Sequence, residues 1–173
     1  MVARGRFIGN KVVVDDESSA SQLYNRGRFG VIINRKLELS MIEALYLVER
    51  NSLEVMDGRK KQVDYDAFLY KANKKEHDFW TRFCVYRDIR SRGYITKTAL
   101  KYGADFRVYA RGQEPGKAHA KWVLYAVSEN DKFDWKRFAA MNRVAHSVKK
   151  RLMIGIVDDE GDVTYYQVSW MKP

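Results

Sequence analysis

Residues 151–170 read RLMIGIVDDEGDVTYYQVSW. The two ends of this stretch are rich in β-branched and aromatic side chains, which favours strands at 151–157 and 163–170. Between them stands Asp158-Asp159-Glu160-Gly161-Asp162, and a glycine beside acidic residues is typical of a tight turn. The stretch therefore predicts two strands joined by an acidic turn near the C-terminus.

Three more strands are predicted upstream of this pair, at 94–96, 106–109 and 121–127. One helix, at 134–150, separates them from the final two strands. This half of the chain therefore predicts a sheet flanked by helices.

The N-terminal half predicts a second mixed domain. Short β-branched runs at 12–14 and 31–33 favour strands, with a small helix at 18–26 between them. Ser40 stands three residues before Glu43, a capping box that begins a helix running to about Arg50.

Two longer helices are predicted where the halves meet, at 64–75 and 76–92, the second ending at Gly93. Helical spacing indicates a buried aromatic and aliphatic face made of Phe79, Phe83, Tyr86 and Ile89. We predict an α/β fold, of mixed α+β type, with an N-terminal domain at 1–82 and a C-terminal domain at 83–173.

Composition restricts the class of protein. Apolar residues make up 46% of the 173 residues and aromatic residues 13%, which excludes a mainly disordered chain. The single cysteine, Cys84, allows no intramolecular disulfide, so we expect a reducing, cytoplasmic environment. No apolar run approaches the roughly 20 residues of a membrane span, and we expect no membrane partner.

The charge favours a polyanionic partner. Lys and Arg number 32 against 22 Asp and Glu, giving a formal net charge of +10. Such an excess is typical of nucleic-acid-binding proteins, although many basic proteins bind none.

Three histidines are available for chemistry. His77 lies in a charged run and is predicted to be solvated, and His146 lies beside valine and alanine on the 134–150 helix, which favours a structural role. His119 follows a Gly/Pro loop of the kind that presents side chains from a strand end.

Tyr109 ends a predicted strand just before this loop, and Lys150 stands where the helix passes into the strand at 151–157. A buried strand tyrosine and a solvated helix lysine are the ordinary alternatives for these two positions.

Several motifs together carry a resemblance to a known family. They are YGADFRVYARG at 102–112, His119 ten residues after Tyr109, RVAHSVKK at 143–150 and IVDDEGDVTYY at 156–166. EALYL at 43–47 and SRGY at 91–94 extend the match over nearly the whole chain. The sequence thus resembles the archaeal tRNA-splicing endonucleases.

The resemblance implies a restriction-nuclease-like C-terminal domain and an enzyme that cuts precursor tRNA at bulge-helix-bulge junctions. The expected products carry 2′,3′-cyclic phosphate and 5′-hydroxyl ends. By motif position Tyr109 is the expected base, His119 the expected acid and Lys150 the cation that stabilises the charged phosphorane. No metal and no cofactor is expected.

The resemblance also implies an RNA clamp and an assembly. Arg143 takes the first place of a cationic pair that holds a flipped base, and Trp170 is a candidate second member, with Tyr165 and Tyr166 as alternatives. A homotetramer, built as a dimer of dimers, is expected to be joined through the acidic turn residues Asp158, Asp159, Glu160 and Asp162.

Two alternatives remain at this stage. One is the catalytic subunit of a two-subunit enzyme of the same family. The other is a noncatalytic RNA-binding or scaffold subunit, in which the Tyr109, His119 and Lys150 set is expected to be lost.

Overall fold

Two sheets form the framework of the chain. The computed structural model describes residues 2–132 and 134–171, and of Leu100 it describes the backbone alone. By its internal contacts the chain divides into two compact units, one up to Trp80 and one from Thr81 onward.

The first unit holds a six-stranded sheet in the order β3-β4-β2-β1-β5-β6. Its strands and helices are, in chain order, β1 (Ala3–Ile8), β2 (Lys11–Val14), α1 (Glu17–Gly27), β3 (Val31–Ile33), β4 (Lys36–Ser40), α2 (Met41–Glu49), β5 (Leu53–Met56), β6 (Gln62–Val63) and α3 (Tyr65–Lys75). The central strand, β1, pairs antiparallel with β2 and parallel with β5.

The capping box of α2 is confirmed. The Glu43 amide donates to Ser40 Oγ, and the Glu43 carboxylate accepts from the Ser40 amide at 3.0 Å. The same carboxylate accepts from the buried amide of Gly30 at 2.8 Å. Glu43 is only 5% exposed, so this one side chain both starts the helix and satisfies a backbone donor in the preceding loop.

The second unit holds a five-stranded sheet in the order β11-β10-β9-β8-β7. Its elements are α4 (Phe79–Ser91), of which the first two residues belong to the other unit, β7 (Thr96–Thr98), a short 3-10 helix (Leu100–Tyr102), β8 (Phe106–Val108), β9 (Trp122–Ser128), α5 (Trp135–Ser147), β10 (Arg151–Val157) and β11 (Val163–Val168). The β9–β10 pair is parallel and the other pairs are antiparallel. A parallel pair needs a crossover connection, and α5 provides it.

Both faces of this sheet are covered by helices. Met141 and Ala145 of α5 join Val123, Leu152 and Ile154 in one buried cluster. On the opposite face α4 comes close to β10 at Gly155. A Cβ atom there would lie 3.2 Å from Val85 and 3.3 Å from Tyr165, so only glycine fits without displacing a neighbour.

The predicted α/β fold is confirmed, and so is the burial of the four apolar residues of α4. The strand expected at 94–96 is largely wrong, because pairing begins at Thr96 and continues to Thr98. Four strands were not predicted at all, namely β1, β4, β5 and β6. Within the described residues, none of the helices has the length and hydropathy that a bilayer crossing requires.

Candidate active site

Tyr109 and Lys150 lie at the same edge of the C-terminal sheet. Trp122, the first residue of β9, pairs with Val108 on one side and with Arg151 on the other. Tyr109 follows Val108 and Lys150 precedes Arg151, so both extend beyond this row at the same end. Two strand spacings separate their backbones, which is about 10 Å.

His119 follows a loop that is held by hydrogen bonds and an ion pair among its own residues. The amides of Lys117 and Ala118 both donate to the Glu114 carbonyl, and Gly112 and Gly116 adopt positive φ angles of 78° and 88°. Glu114 and Lys117 also form an ion pair of 3.2 Å. These contacts fold the loop back so that the exposed His119 lies three residues before β9, which begins at Trp122.

A hydrogen bond ties Lys150 to the backbone beside His119. The Lys150 Nζ donates to the carbonyl oxygen of Ala120 at 3.1 Å. Its side chain is half-buried, whereas Tyr109 is only 4% exposed and its amide donates to the Ile95 carbonyl at 2.9 Å. The structure therefore brings the three predicted catalytic residues to one edge, with Lys150 and Tyr109 held and His119 accessible.

The end of α5 sets the direction of Lys150. The amide of Lys150 donates to the Ala145 carbonyl at 2.9 Å and that of Lys149 to the His146 carbonyl at 3.0 Å, the two bonds of a Schellman motif. Lys149 occupies the left-handed position, with φ of 54°. This turn ends the helix and directs the chain into β10.

Further cations border the edge. Lys121 Nζ lies 4.6 Å from the centre of the Trp122 ring, and the Arg111 guanidinium lies 5.1 Å from that of Tyr94. Lys121 was not predicted, although its place opposite Tyr109 follows from the register of β8 and β9. Residues 81–173 contain eighteen Lys and Arg against ten Asp and Glu, so this half of the chain carries most of the net charge.

Arg143 and Trp170 line one groove of about 550 Å³ between α5 and the end of β11. Trp170 is 65% exposed, and its ring meets that of His146 edge-on at 5.3 Å. His146, for which a structural role is expected, is exposed on the groove and contacts Trp170 there.

Tyr165 does not line this groove and is packed against α4. Its hydroxyl donates to the Val85 carbonyl at 3.4 Å, and burial together with the Asp88 carboxylate raises the pKa of the phenol. Tyr166 lies on the other face of β11 and is 55% exposed. Of the candidate aromatic partners of Arg143, Trp170 is the one that shares its groove.

Comparison with known proteins identifies the family. Residues 79–165 match the catalytic C-terminal domain of tRNA intron endonucleases, and residues 3–69 match the N-terminal domain of the same enzymes. The chain belongs to the tRNA intron endonuclease family.

Curated relatives agree over their whole length. A tRNA-splicing endonuclease of Thermococcus onnurineus is 42% identical over 167 residues, which cover 96% of this chain and 95% of the relative. Those of Methanothermobacter thermautotrophicus and Nanoarchaeum equitans are 40% and 41% identical, with coverage of 98% or more of each chain.

Membership confirms the predicted archaeal family and the predicted enzyme class, an endonuclease for tRNA introns. It does not favour a noncatalytic scaffold subunit. Among the residues that the structure describes, no group of three or more His, Cys, Asp or Glu side chains is arranged to hold a metal ion.

The acidic turn of this tRNA intron endonuclease lies at the far end of β10 from Lys150. The Asp158 carboxylate accepts from the amides of Glu160 and Asp162, and Gly161 has a positive φ of 85°. Asp159 accepts from the Asn130 side chain at 2.7 Å. Asp158 therefore builds the turn, while the other carboxylates are exposed.

Replacing Lys149 by glycine tests the helix end. A left-handed conformation costs an L-residue roughly 1 kcal/mol, so Lys149→Gly is expected to raise the free energy of unfolding by about that amount. Denaturant unfolding measures the gain. Lys149→Ala is the control and is expected to give no increase; a destabilised glycine variant would contradict the assigned helix end.

Proposed function

We propose that this chain excises introns from precursor tRNA by cutting both junctions of a bulge-helix-bulge. The products carry 2′,3′-cyclic phosphate and 5′-hydroxyl ends. Family membership supports the activity, and the common sheet edge of Tyr109, His119 and Lys150 is the observation that supports these residues as its catalytic set.

The proposed reaction is an in-line transesterification within the RNA. The 2′-oxygen at the cut forms a bond to the adjacent phosphorus, and the bond from phosphorus to the 5′-oxygen breaks. Tyr109 takes the proton of the 2′-hydroxyl, and His119 gives a proton to the leaving 5′-oxygen. The nucleophile is the substrate's own hydroxyl, so the reaction as proposed draws no group from a metal ion or cofactor.

Lys150 supplies positive charge to the nonbridging oxygens. The hydrogen bond to Ala120 fixes its ammonium before substrate arrives, and a charge already in place requires little reorganisation during the reaction.

The groove of Arg143 and Trp170 is the proposed clamp for a flipped bulge base. A guanidinium plane and an indole both stack on bases, and the exposed indole shares one groove with Arg143. Access from outside supports this role over a purely structural one.

The proposed assembly is a homotetramer built as a dimer of dimers. β11 is an edge strand, so its outer backbone groups are available to a second copy, and its β-branched and aromatic composition favours such pairing. The acidic turn then joins two dimers, bringing two active sites to the two bulges. Cys84 is buried and forms no disulfide, which is compatible with the reducing cytoplasm, the proposed location.

The reaction is tested with a bulge-helix-bulge RNA in excess chelator. We expect cleavage with cyclic-phosphate ends, and none when the nucleotide at the cut lacks its 2′-hydroxyl, although that RNA still binds. Gel analysis with end-group chemistry measures both. Cleavage of the 2′-deoxy RNA, or 3′-hydroxyl products that need magnesium, would contradict the mechanism.

Substitution tests the catalytic set. His119→Ala and Lys150→Ala are each expected to lower the single-turnover rate by roughly 100-fold or more, with little change in RNA affinity. Tyr109→Phe keeps the ring and removes the hydroxyl. Its single-turnover rate is expected to fall less than those of the other two variants if the hydroxyl only positions the 2′-OH. Lys149→Ala is the neighbouring control; full rates in all three test variants would remove these residues from the reaction.

Charge reversal tests the acidic turn. Glu160→Lys with Asp162→Lys keeps Asp158, whose carboxylate holds the turn together, and is expected to give folded dimers that cleave paired junctions poorly. Glu17→Lys with Glu49→Lys reverses equal charge on two helices of the other unit and serves as control. Light scattering and cleavage are measured together, and a fully active tetrameric turn variant would show that the segment is only a turn.

A further inference from the structure

A concentration of positive charge lies in the N-terminal unit, away from the catalytic residues in sequence. Residues 1–80 are nearly balanced, with fourteen Lys and Arg against twelve Asp and Glu. Between 59 and 75, however, there are six cations and only two carboxylates. We call these six the N-terminal basic surface: Arg59, Lys60, Lys61, Lys71, Lys74 and Lys75.

The fold gathers these residues from two separate elements. The first three occupy the turn between β5 and β6, and the others lie on α3. Lys71 Nζ lies 4.0 Å from the centre of the Phe7 ring, and Phe7 lines a cavity of about 420 Å³ together with Gly58 and Lys60. Lys75 Nζ donates to the Gly9 carbonyl at 2.5 Å. β1 and the turn after it thus connect the two groups.

Nearby carboxylates offset this surface only in part, through the attraction of Asp57 for Arg59 and Lys71. Asp57 accepts from the amides of Arg59 and Lys61, and these bonds hold the pKa of the carboxyl below its usual range. Asp64 caps α3 by accepting from the Ala67 amide at 2.8 Å. Both are already used to hold the backbone of the elements that carry the cations.

Other cations of the same sheet are paired. Arg4 contacts Glu54, Arg6 contacts Asp15 and Lys11 contacts Glu38. Within the described part of the chain, the six residues of the N-terminal basic surface form no ion pair. Their mutual repulsion, which Asp57 offsets in part, is relieved further by solvent, salt or a polyanion.

An exposed aromatic side chain belongs to the same surface. Tyr70 is 63% exposed, and Lys74 Nζ lies 4.4 Å from the centre of its ring. RNA-binding proteins commonly combine cations that contact phosphates with exposed aromatic rings that stack on bases.

We propose that the N-terminal basic surface binds the RNA backbone outside the bulge-helix-bulge. The proposal rests on the proposed function for the identity of the RNA. A polyanion suits the surface better than the acidic turn of another copy, because six cations exceed its four carboxylates and Asp158 is already used within that turn. The contact holds substrate and leaves the chemical step to the catalytic edge.

The test variant removes four charges and keeps the two residues with backbone constraints. It combines Arg59→Gln, Lys61→Gln, Lys71→Gln and Lys74→Gln, and leaves Lys60, whose φ is 61°, and Lys75 unchanged. The matched control neutralises four exposed cations elsewhere, through Arg26→Gln, Lys101→Gln, Lys132→Gln and Lys136→Gln.

Binding is measured as a function of KCl concentration on a bulge-helix-bulge RNA with long flanking helices, made with 2′-deoxy nucleotides at both cuts. Each lost phosphate contact is expected to reduce the slope of log affinity against log salt by about 0.9, so the test variant loses about 2 to 4. Its affinity falls roughly tenfold or more near 0.15 M salt, the control changes little, and trimming the flanking helices removes the difference between wild type and test variant.

Cleavage of all-ribose RNA at saturating protein is expected to proceed at the wild-type rate in the test variant. Unchanged slope and affinity, or a loss equal to that of the control, would overturn the proposal. Dissociation of the test variant in light scattering would assign the surface to the acidic turn of another copy and would also overturn it. Failure of the wild type to cut in chelator contradicts the proposed function instead, and the salt slope is read independently of cutting.

Discussion

The parallel pairing of β9 with β10 is the constraint on which the rest of the catalytic unit depends. Neighbouring parallel strands cannot be joined by a tight turn, so the chain must cross over the sheet, and α5 is that crossover. Once Trp122 lies beside Arg151, the end of α5 must deliver Lys150 to the edge where β8 also ends. The groove of Arg143 and Trp170 then follows from the same crossover, since α5 forms one wall and the end of β11 the other.

The two units distribute charge in different ways. In the catalytic unit positive charge exceeds negative charge overall, and four of its ten acidic residues lie in one turn. In the N-terminal unit the totals nearly cancel, but the strand cations are paired while those of α3 and the β5–β6 turn are not. The net charge of the N-terminal unit therefore does not reveal these unpaired cations, which are found only when each ion pair is assigned.

The strands predicted best from the sequence are those with runs of β-branched and aromatic residues, whereas β1, β4, β5 and β6 lack such runs and were missed. β10 and β11 carry β-branched and aromatic residues, and their positions were predicted closely. β1 reads Ala-Arg-Gly-Arg-Phe-Ile, and its buried face begins with Ala3 and Gly5, which carry almost no side-chain signal. β4 was hidden because its last residue, Ser40, also begins a helix.

In the candidate site too, some features follow from neighbouring residues and others depend on residues far apart in the sequence. The helix cap and the acidic turn follow from neighbouring residues, whereas Tyr109 and Lys150 reach the same sheet edge through strand register that no local pattern encodes. Their grouping was predicted from resemblance to a family, and the pairing of β8, β9 and β10 supplies the physical reason. His146 is exposed although the adjacent Ala145 is buried, because neighbouring residues of a helix point to different sides.

β10 also acts as a spacer of fixed length. Lys150 stands before it and the acidic turn after it, and Lys150 and Asp158 lie roughly 26 Å apart at the usual rise of a strand. Gly155 fixes the strand beneath α4, and a slip of one residue would bring a side chain into that contact and turn the others to the wrong face. The distance from the sheet edge with Lys150 to the acidic turn thus changes only through a register slip, which the packing at Gly155 disfavours. In an assembly held through these turns, the protein is the rigid template, and an RNA with differently spaced bulges must bend to fit it.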